Sequence, residues 1–224
     1  MINKAYRILG PALITLAAGA TEPPKPIPLP PPDLVGSKSL EQVLDERRSV
    51  REFSSDSLTL SELGQLLWAA QGITSDNGWR TAPSAGALYP LDVYIAVKRV
   101  AGLTSGVYRY IPGLPDEHWL ELVREGDPSP DLNHACGQAC IAEGAVGIII
   151  VAIAERTAKR YGERAERYAI LEAGHAAQNV LLQAEARDLG AVPVGAFHDE
   201  LIQELTGSSG MPLYVISVGK KDKK

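Results

Sequence analysis

The chain has 224 residues, 45% of them hydrophobic and 22% charged, with a formal net charge of -5. That balance belongs to an ordinary globular domain and excludes collagen, coiled coil and wholesale disorder. The acidic charge argues against a nucleic-acid binder with a broad basic face, two cysteines cannot make a disulfide scaffold, and no apolar run reaches the roughly 20 residues that span a bilayer.

Residues 1–20 place Lys4 and Arg7 before an apolar stretch that closes on Ala18 and Ala20. This is the layout of a secretory signal peptide, and equally of an N-terminal arm that packs on the body. The two readings leave localisation open between the cytoplasm and export. Residues 21–36 hold seven of the 16 prolines. Proline fixes φ and removes a backbone donor, so an extended polyproline II linker is expected. The globular body is expected over 37–220, followed by a basic tail at 221–224.

Within the body, Ser39 with Gln42 and Thr59 with Glu62 each form a capping box. They predict helices over 39–48 and 60–71, the second stopped by Gly72 as a C′ residue. Residues 91–99 alternate and are rich in β-branched types, which predicts a strand. Residues 106–110 and 118–124 flank a Pro/Gly loop and read as a hairpin. A short helix is expected over 132–142. Residues 145–154 are continuously apolar, as in a strand covered on both faces. Residues 161–189 read as one long helix, apolar nearly all round and stopped by Gly190. Such a helix belongs in a core or at a subunit interface. A helix over 199–206 ends at Gly207, and residues 212–218 form the last strand. The irregular order of elements predicts an α+β fold with a largely antiparallel or mixed central sheet flanked by helices.

Common chemical signatures are missing. There is no P-loop, no G-x-G-x-x-G after a strand, no H-E-x-x-H and no G-x-S-x-G. His134, Cys136 and Cys140 lack the ligand count and spacing of a zinc site and read as two small buried thiols near a histidine, so no metal is expected. Arg47, Arg48, Ser49 and Arg51 put three guanidiniums and a hydroxyl within five residues. Guanidinium matches phosphate with paired donors, although cations are also welcome at any helix C-terminus. Pro83, Ser84, Ala85, Gly86 and Ala87 are small or stiff and let a flat ligand approach the backbone. Pro193, Val194, Gly195 and Ala196 offer the same after the long helix. Alone, each reads equally as a turn or connection.

Together these segments resemble the nitroreductase family of FMN-dependent oxidoreductases, and within it the SagB-type dehydrogenase branch. The blocks SLEQVLDERRSVREF, LTLSELGQLLWAAQGI, RTAPSAGALYPLDVYIAV, GVYRY, YGERAERYAILEAGHAAQNVLLQAEARDLGAVPVGAF and PLYVISVGK carry the likeness, in family order. The resemblance implies a homodimer with FMN at the subunit interface and the long helix in that interface. It implies that Arg47, Arg48, Ser49 and Arg51 hold the phosphate and ribityl chain, joined by Lys220. Residues 83–87 would come from the other subunit, and residues 193–196 would line the ring. It implies ping-pong transfer between NAD(P)H, or another donor, and a small organic substrate, with flavin supplying the hydride chemistry.

This chain departs from the family in places. Ala87 and Tyr89 stand where classical members carry amides, and Gly195 stands where many carry an acidic residue. Arg160-Tyr161 stands where peptide-azoline oxidisers have Lys-Tyr. Arginine does not deprotonate, so a general-base role there is lost, while Tyr161 keeps the capacity to donate a proton and is the candidate catalytic side chain. A redox sensor or flavin-handling protein without steady turnover, and a flavin-free scaffold using its proline arm, are the competing readings.

Overall fold

The computed structural model describes residues 25–114 and 117–222. The expected leader over 1–20 lies outside them. Strand β5 (Val146–Ala152) has no exposed residue, as its unbroken apolar run predicts. It sits near the middle of a seven-stranded sheet with the order β1-β4-β3-β2-β5-β7-β6. The other strands are β1 (Ile27–Pro28), β2 (Leu91–Val97), β3 (Gly106–Ile111), β4 (Trp119–Glu125), β6 (Leu189–Val194) and β7 (Met211–Lys220). Every neighbouring pair is antiparallel.

Successive side chains of β5 point to opposite faces. Ile148 and Ile150 enter one core with Leu63, Leu66, Leu67, Ala173, Ala177 and Val180. Ile149 and Val151 enter a second core with Leu132, Ile141, Ile202 and Leu205. Helices α2 (Leu60–Gln71) and α6 (Ala165–Ala186) therefore cover one face. Helices α3 (Ser129–Cys136), α4 (Ala139–Glu143) and α7 (Asp199–Thr206) cover the other. Helix α1 (Leu40–Glu46) packs beside α6, and α5 (Glu155–Tyr161) leads into it.

Both capping boxes form as the sequence predicts, at Ser39/Gln42 and Thr59/Glu62. Gly72 ends α2, but not with a left-handed residue, since its φ is -63°. Its lack of a side chain serves packing instead: a Cβ there would lie 2.2 Å from the Trp68 ring.

The long helix is interrupted. Gly162 (φ +54°) ends α5, a 3-10 turn spans Gly162–Arg164, and α6 begins at Ala165. It ends at Ala186, two residues before the left-handed Asp188 (φ +55°), while Gly190 lies inside β6. A Cβ at Gly190 would meet Val50 at 2.7 Å, so that glycine admits the neighbouring chain rather than breaking a helix. The expected single helix over 132–142 is two, split at Gly137 (φ +63°). Cys136 and Cys140 fall on different helices, both buried and free. Burial pushes the Cys136 thiol up to about 11. Among the described residues no cluster suits a metal ion, and no helix is long and apolar enough to cross a membrane.

The proline segment does not behave as a spacer over its described part. Ile27 and Pro28 pair with Leu120 and Trp119 of β4, and Leu29 is only 4% exposed within the first core. The Leu29 amide donates to the His118 carbonyl at 2.9 Å. One ring nitrogen of His118 bonds the Pro30 carbonyl at 2.9 Å and the other bonds the Tyr110 hydroxyl at 3.0 Å. Gln65 clasps both backbone groups of Asp33, at 2.8 and 3.1 Å. The proline pattern hides this docking because polyproline lacks the alternation that marks a strand. We expect Leu29→Ala to lower the unfolding free energy by about 2–4 kcal/mol, the usual cost of truncating a buried leucine. Leu34→Ala, at a side chain that is 75% exposed, should change it by less than about 0.5 kcal/mol. Urea denaturation of the full chain compares the two.

Candidate active site

The predicted site residues assemble into two groups. The first lies along β6. The Ser49 backbone bridges to Ala191 in parallel register, and the Val50 amide donates to the Ala191 carbonyl at 3.0 Å. This lays Arg47, Arg48, Ser49 and Arg51 beside the strand that ends at Pro193 and Val194. A second bridge, Phe53 to Lys221, and a 3.0 Å bond from the Ser54 amide to the Lys220 carbonyl bring in the end of β7.

The arginines differ in what they already hold. Arg48 curls back to donate to the Arg47 carbonyl at 2.8 Å and to the Asp45 carbonyl, so it caps α1. Arg47 and Arg51 have no carboxylate partner among the described residues. Ser49 is exposed. Lys220 pairs with Glu62. Burial alone would raise the Glu62 carboxyl, but bonds from Lys220 and Thr59 outweigh it and hold the group below its ordinary range. Gly195 is exposed, and nothing stands within 4 Å of where its Cβ would be. Free cations and a hydroxyl thus lie along an edge strand that ends in bare, accessible backbone.

The second group surrounds the turn before β2. Gly86, Ala87 and Tyr89 have φ values of +62°, +53° and +46°. Left-handed backbone is costly for residues with a side chain, and it concentrates at functional sites. Local bonds hold the turn: the Ala87 amide donates to the Ser84 carbonyl at 3.1 Å, and the Tyr89 amide to the Ser84 hydroxyl at 2.9 Å. The Arg80 guanidinium lies 4.5 Å over the Tyr89 ring. A glycine turn at Gly86 is visible in the sequence, but the strain at Ala87 and Tyr89 is not.

Tyr161 belongs to this second group. A Cβ on Gly86 would lie 2.8 Å from its hydroxyl. Helix α5 is fixed there by Arg156, which bonds Asp92 of β2 at 2.8 and 3.1 Å. The Tyr161 ring meets Tyr168 edge-on at 5.0 Å. A cavity of about 290 Å³ opens alongside, lined by Pro83, Ser84, Ala85, Tyr168, Leu171, Glu172 and His175.

The two groups do not meet within one chain. Both leave the same end of the sheet, since Leu91 pairs with Ala152, Ala152 with Met211, and Val194 with Val215. They leave from β2 and β6, however, which stand three strand spacings apart, roughly 14 Å. A larger cavity of about 610 Å³ lies elsewhere, between residues 33–38, α1, α2 and α6, and none of the predicted site residues lines it.

Glu172 was invisible to sequence reasoning, being one polar residue on an otherwise apolar helix face. It is 2% exposed, and neither carboxyl oxygen meets a donor at hydrogen-bonding geometry. Burial raises its pKa, while Ser84, Arg80 and Gln71 stand near enough to pull it partly back. Gln71, also buried, accepts from Arg80 at 2.8 Å, and its own amide nitrogen is unpartnered.

The Nitroreductase family model matches residues 44–220. The chain belongs to the nitroreductase family. A Methanocaldococcus jannaschii protein that carries the nitroreductase name is 44% identical over 191 residues, covering 85% of this chain and 94% of that one. A Ralstonia eutropha crystal structure, also named as a nitroreductase, superposes with a TM-score of 0.74 at 29% identity, covering 91% of this chain and 99% of that one. A third, from Anabaena variabilis, gives a TM-score of 0.71 at 29% identity over 82% of this chain, which spans only 38% of that longer one. The family is one of FMN-dependent oxidoreductases, and this chain has its fold, an antiparallel sheet flanked by helices.

The raised pKa of Glu172 has a definite sign. A carboxyl whose folded pKa lies above its unfolded value stabilises the fold fully below the unfolded value, and that contribution is lost as pH rises through the folded value. Glu172→Gln keeps the shape of the protonated form and does not titrate. The stability difference between the variant and the natural chain should therefore shift in the variant's favour from pH 5 to pH 8, read by urea denaturation at each pH. A constant difference would mean that Glu172 is ionised with an adequate partner.

Proposed function

We propose that the chain is an FMN-dependent oxidoreductase that passes hydride or electrons between NAD(P)H, or another donor, and a small organic substrate. The observation that carries this reading is the Ser49–Ala191 bridge. It sets the unpartnered guanidiniums of Arg47 and Arg51 beside the strand that ends at the open Gly195. An anionic phosphate suits the first feature and a flat ring the second. FMN carries both, so the residues present fit it.

When bound, the flavin supplies reversible hydride transfer. The chain's own residues hold and orient. Arg47, Ser49 and Arg51 take the phosphate and ribityl chain, with Arg48 kept on the helix end and Lys220 sharing its charge with Glu62. Pro193, Val194, Gly195 and Ala196 line one side of the ring with backbone. Pro83, Ser84, Ala85, Gly86 and Ala87 serve the ring held by a second copy of the chain, because their own β6 is too distant. The exposure of Ile170 and Leu171 on α6, at 49% and 53%, supports a homodimer through that helix. Tyr161, with its hydroxyl over Gly86, is placed to give a proton to a substrate that accepts hydride. Its neighbour Arg160 cannot act as the lysine does in peptide-azoline oxidisers, so a small electrophile suits the site better than azoline oxidation.

The test is spectroscopic. Purified protein reconstituted with FMN should show flavin absorption bands that bleach on anaerobic NADPH or NADH. Arg51→Ala combined with Arg47→Ala should weaken FMN binding by at least about tenfold, the smaller end of the loss when a charge-assisted hydrogen bond is removed. A protein that cannot be reconstituted rejects the reading. Bound flavin that neither nicotinamide bleaches leaves the cofactor standing and replaces NAD(P)H by another donor.

A further inference from the structure

We propose that Arg160 anchors a carboxylate carried by the substrate beside the Tyr161 hydroxyl, and that the cavity next to them receives its planar body. The inference rests on the oxidoreductase reading above and names the chemical class that this site takes.

Two donors converge on one patch of bare backbone. The position a Cβ would take on Gly86 lies 2.8 Å from the Tyr161 hydroxyl and 3.0 Å from Arg160 Nη1. Arg160 is exposed and has no carboxylate partner among the described residues. The contrast with Arg156 on the same helix matters, because Asp92 already neutralises that side chain. A guanidinium keeps its charge at any ordinary pH and presents paired N–H groups that match a carboxylate. The Tyr161 hydroxyl stands beside the guanidinium and keeps its own proton for the reacting part of the ligand. Its ring is held edge-on by Tyr168, which limits the ordering needed when a ligand arrives.

The adjoining cavity of about 290 Å³ offers Pro83, Ala85, Tyr168 and Leu171 to an apolar body. Glu172 is the acidic group that could repel an anion there. It is buried with its oxygens out of solvent, and burial favours its uncharged form. Arg80 lies beneath the turn on the Tyr89 ring, and His175 is exposed at the rim.

The experiment titrates oxidised, FMN-loaded protein with 4-nitrobenzoate and with its neutral isostere 4-nitrobenzamide by calorimetry. No reductant is present, so binding alone is read. The natural chain should bind the carboxylate about tenfold more tightly than the amide, a preference that weakens with added salt. Arg160→Gln should bring the ratio close to one, and Arg160→Lys should restore part of it, with flavin content and far-UV dichroism confirming that both variants fold. Equal binding of the two ligands by the natural chain overturns the proposal, as when an acidic residue of a second copy occupies Arg160. A preference that survives Arg160→Gln overturns it as well. Failure to load FMN overturns the oxidoreductase reading and this inference with it, whereas loaded protein without carboxylate preference overturns this inference alone.

Discussion

A strand with no exposed residue must be covered twice, and the rest of the molecule follows from that requirement on β5. Its alternating side chains demand one apolar layer on each face. One layer comes from α2 and α6, the other from α3, α4 and α7. The connections that leave the ends of the central strands are then free of the core. They carry the strained turn before β2, the Arg160-Tyr161 end of α5 and the open backbone after β6. These connections rest on a rigid scaffold, the usual arrangement for loops that carry chemistry.

Several polar contacts hold those loops to the scaffold. Asp92, on a central strand, binds Arg109 and Arg156 together, which fixes α5 against the sheet. Asn179 of α6 donates to the Ala69 and Thr81 carbonyls at 3.0 and 3.3 Å, tying the long helix to the chain that enters the turn. The turn itself carries three positive φ values within four residues, a cost met by Ser84 and Arg80. Glu172 adds a second local cost below it. Both lie next to the cavity, where stability is commonly given up for function.

Much of the fold was legible. The capping boxes, the apolar run of β5, the hairpin of β3 and β4 and the stop at Gly207 are local signals, and the structure contains each of them. The errors share a cause. Gly190 looks like a helix stop but lies inside β6 against Val50, which no local pattern reveals. Gly162, taken as helix interior, is the break that separates α5 from α6. The proline arm docks on β4 and α2, with His118 and Gln65, residues distant in sequence, holding its backbone. The grouping of the candidate site residues was not readable. Arg48 turned out to cap a helix, and Tyr161 came to rest over Gly86.

The sequence by itself determined the local conformations, because caps, turn residues and hydrophobic period act over a few bonds. It also supplied the inventory of arginines, hydroxyls and small residues from which a phosphate-and-ring site can be built. Only the tertiary structure decided which of them meet. Sheet order places β2 and β6 three strands apart, so the two halves of the candidate site do not meet within one chain. Burial decided that Glu172 stands without a partner and that Arg160 stands open to solvent. Those outcomes depend on neighbours brought close by long-range packing, which no short-range signal in the chain encodes.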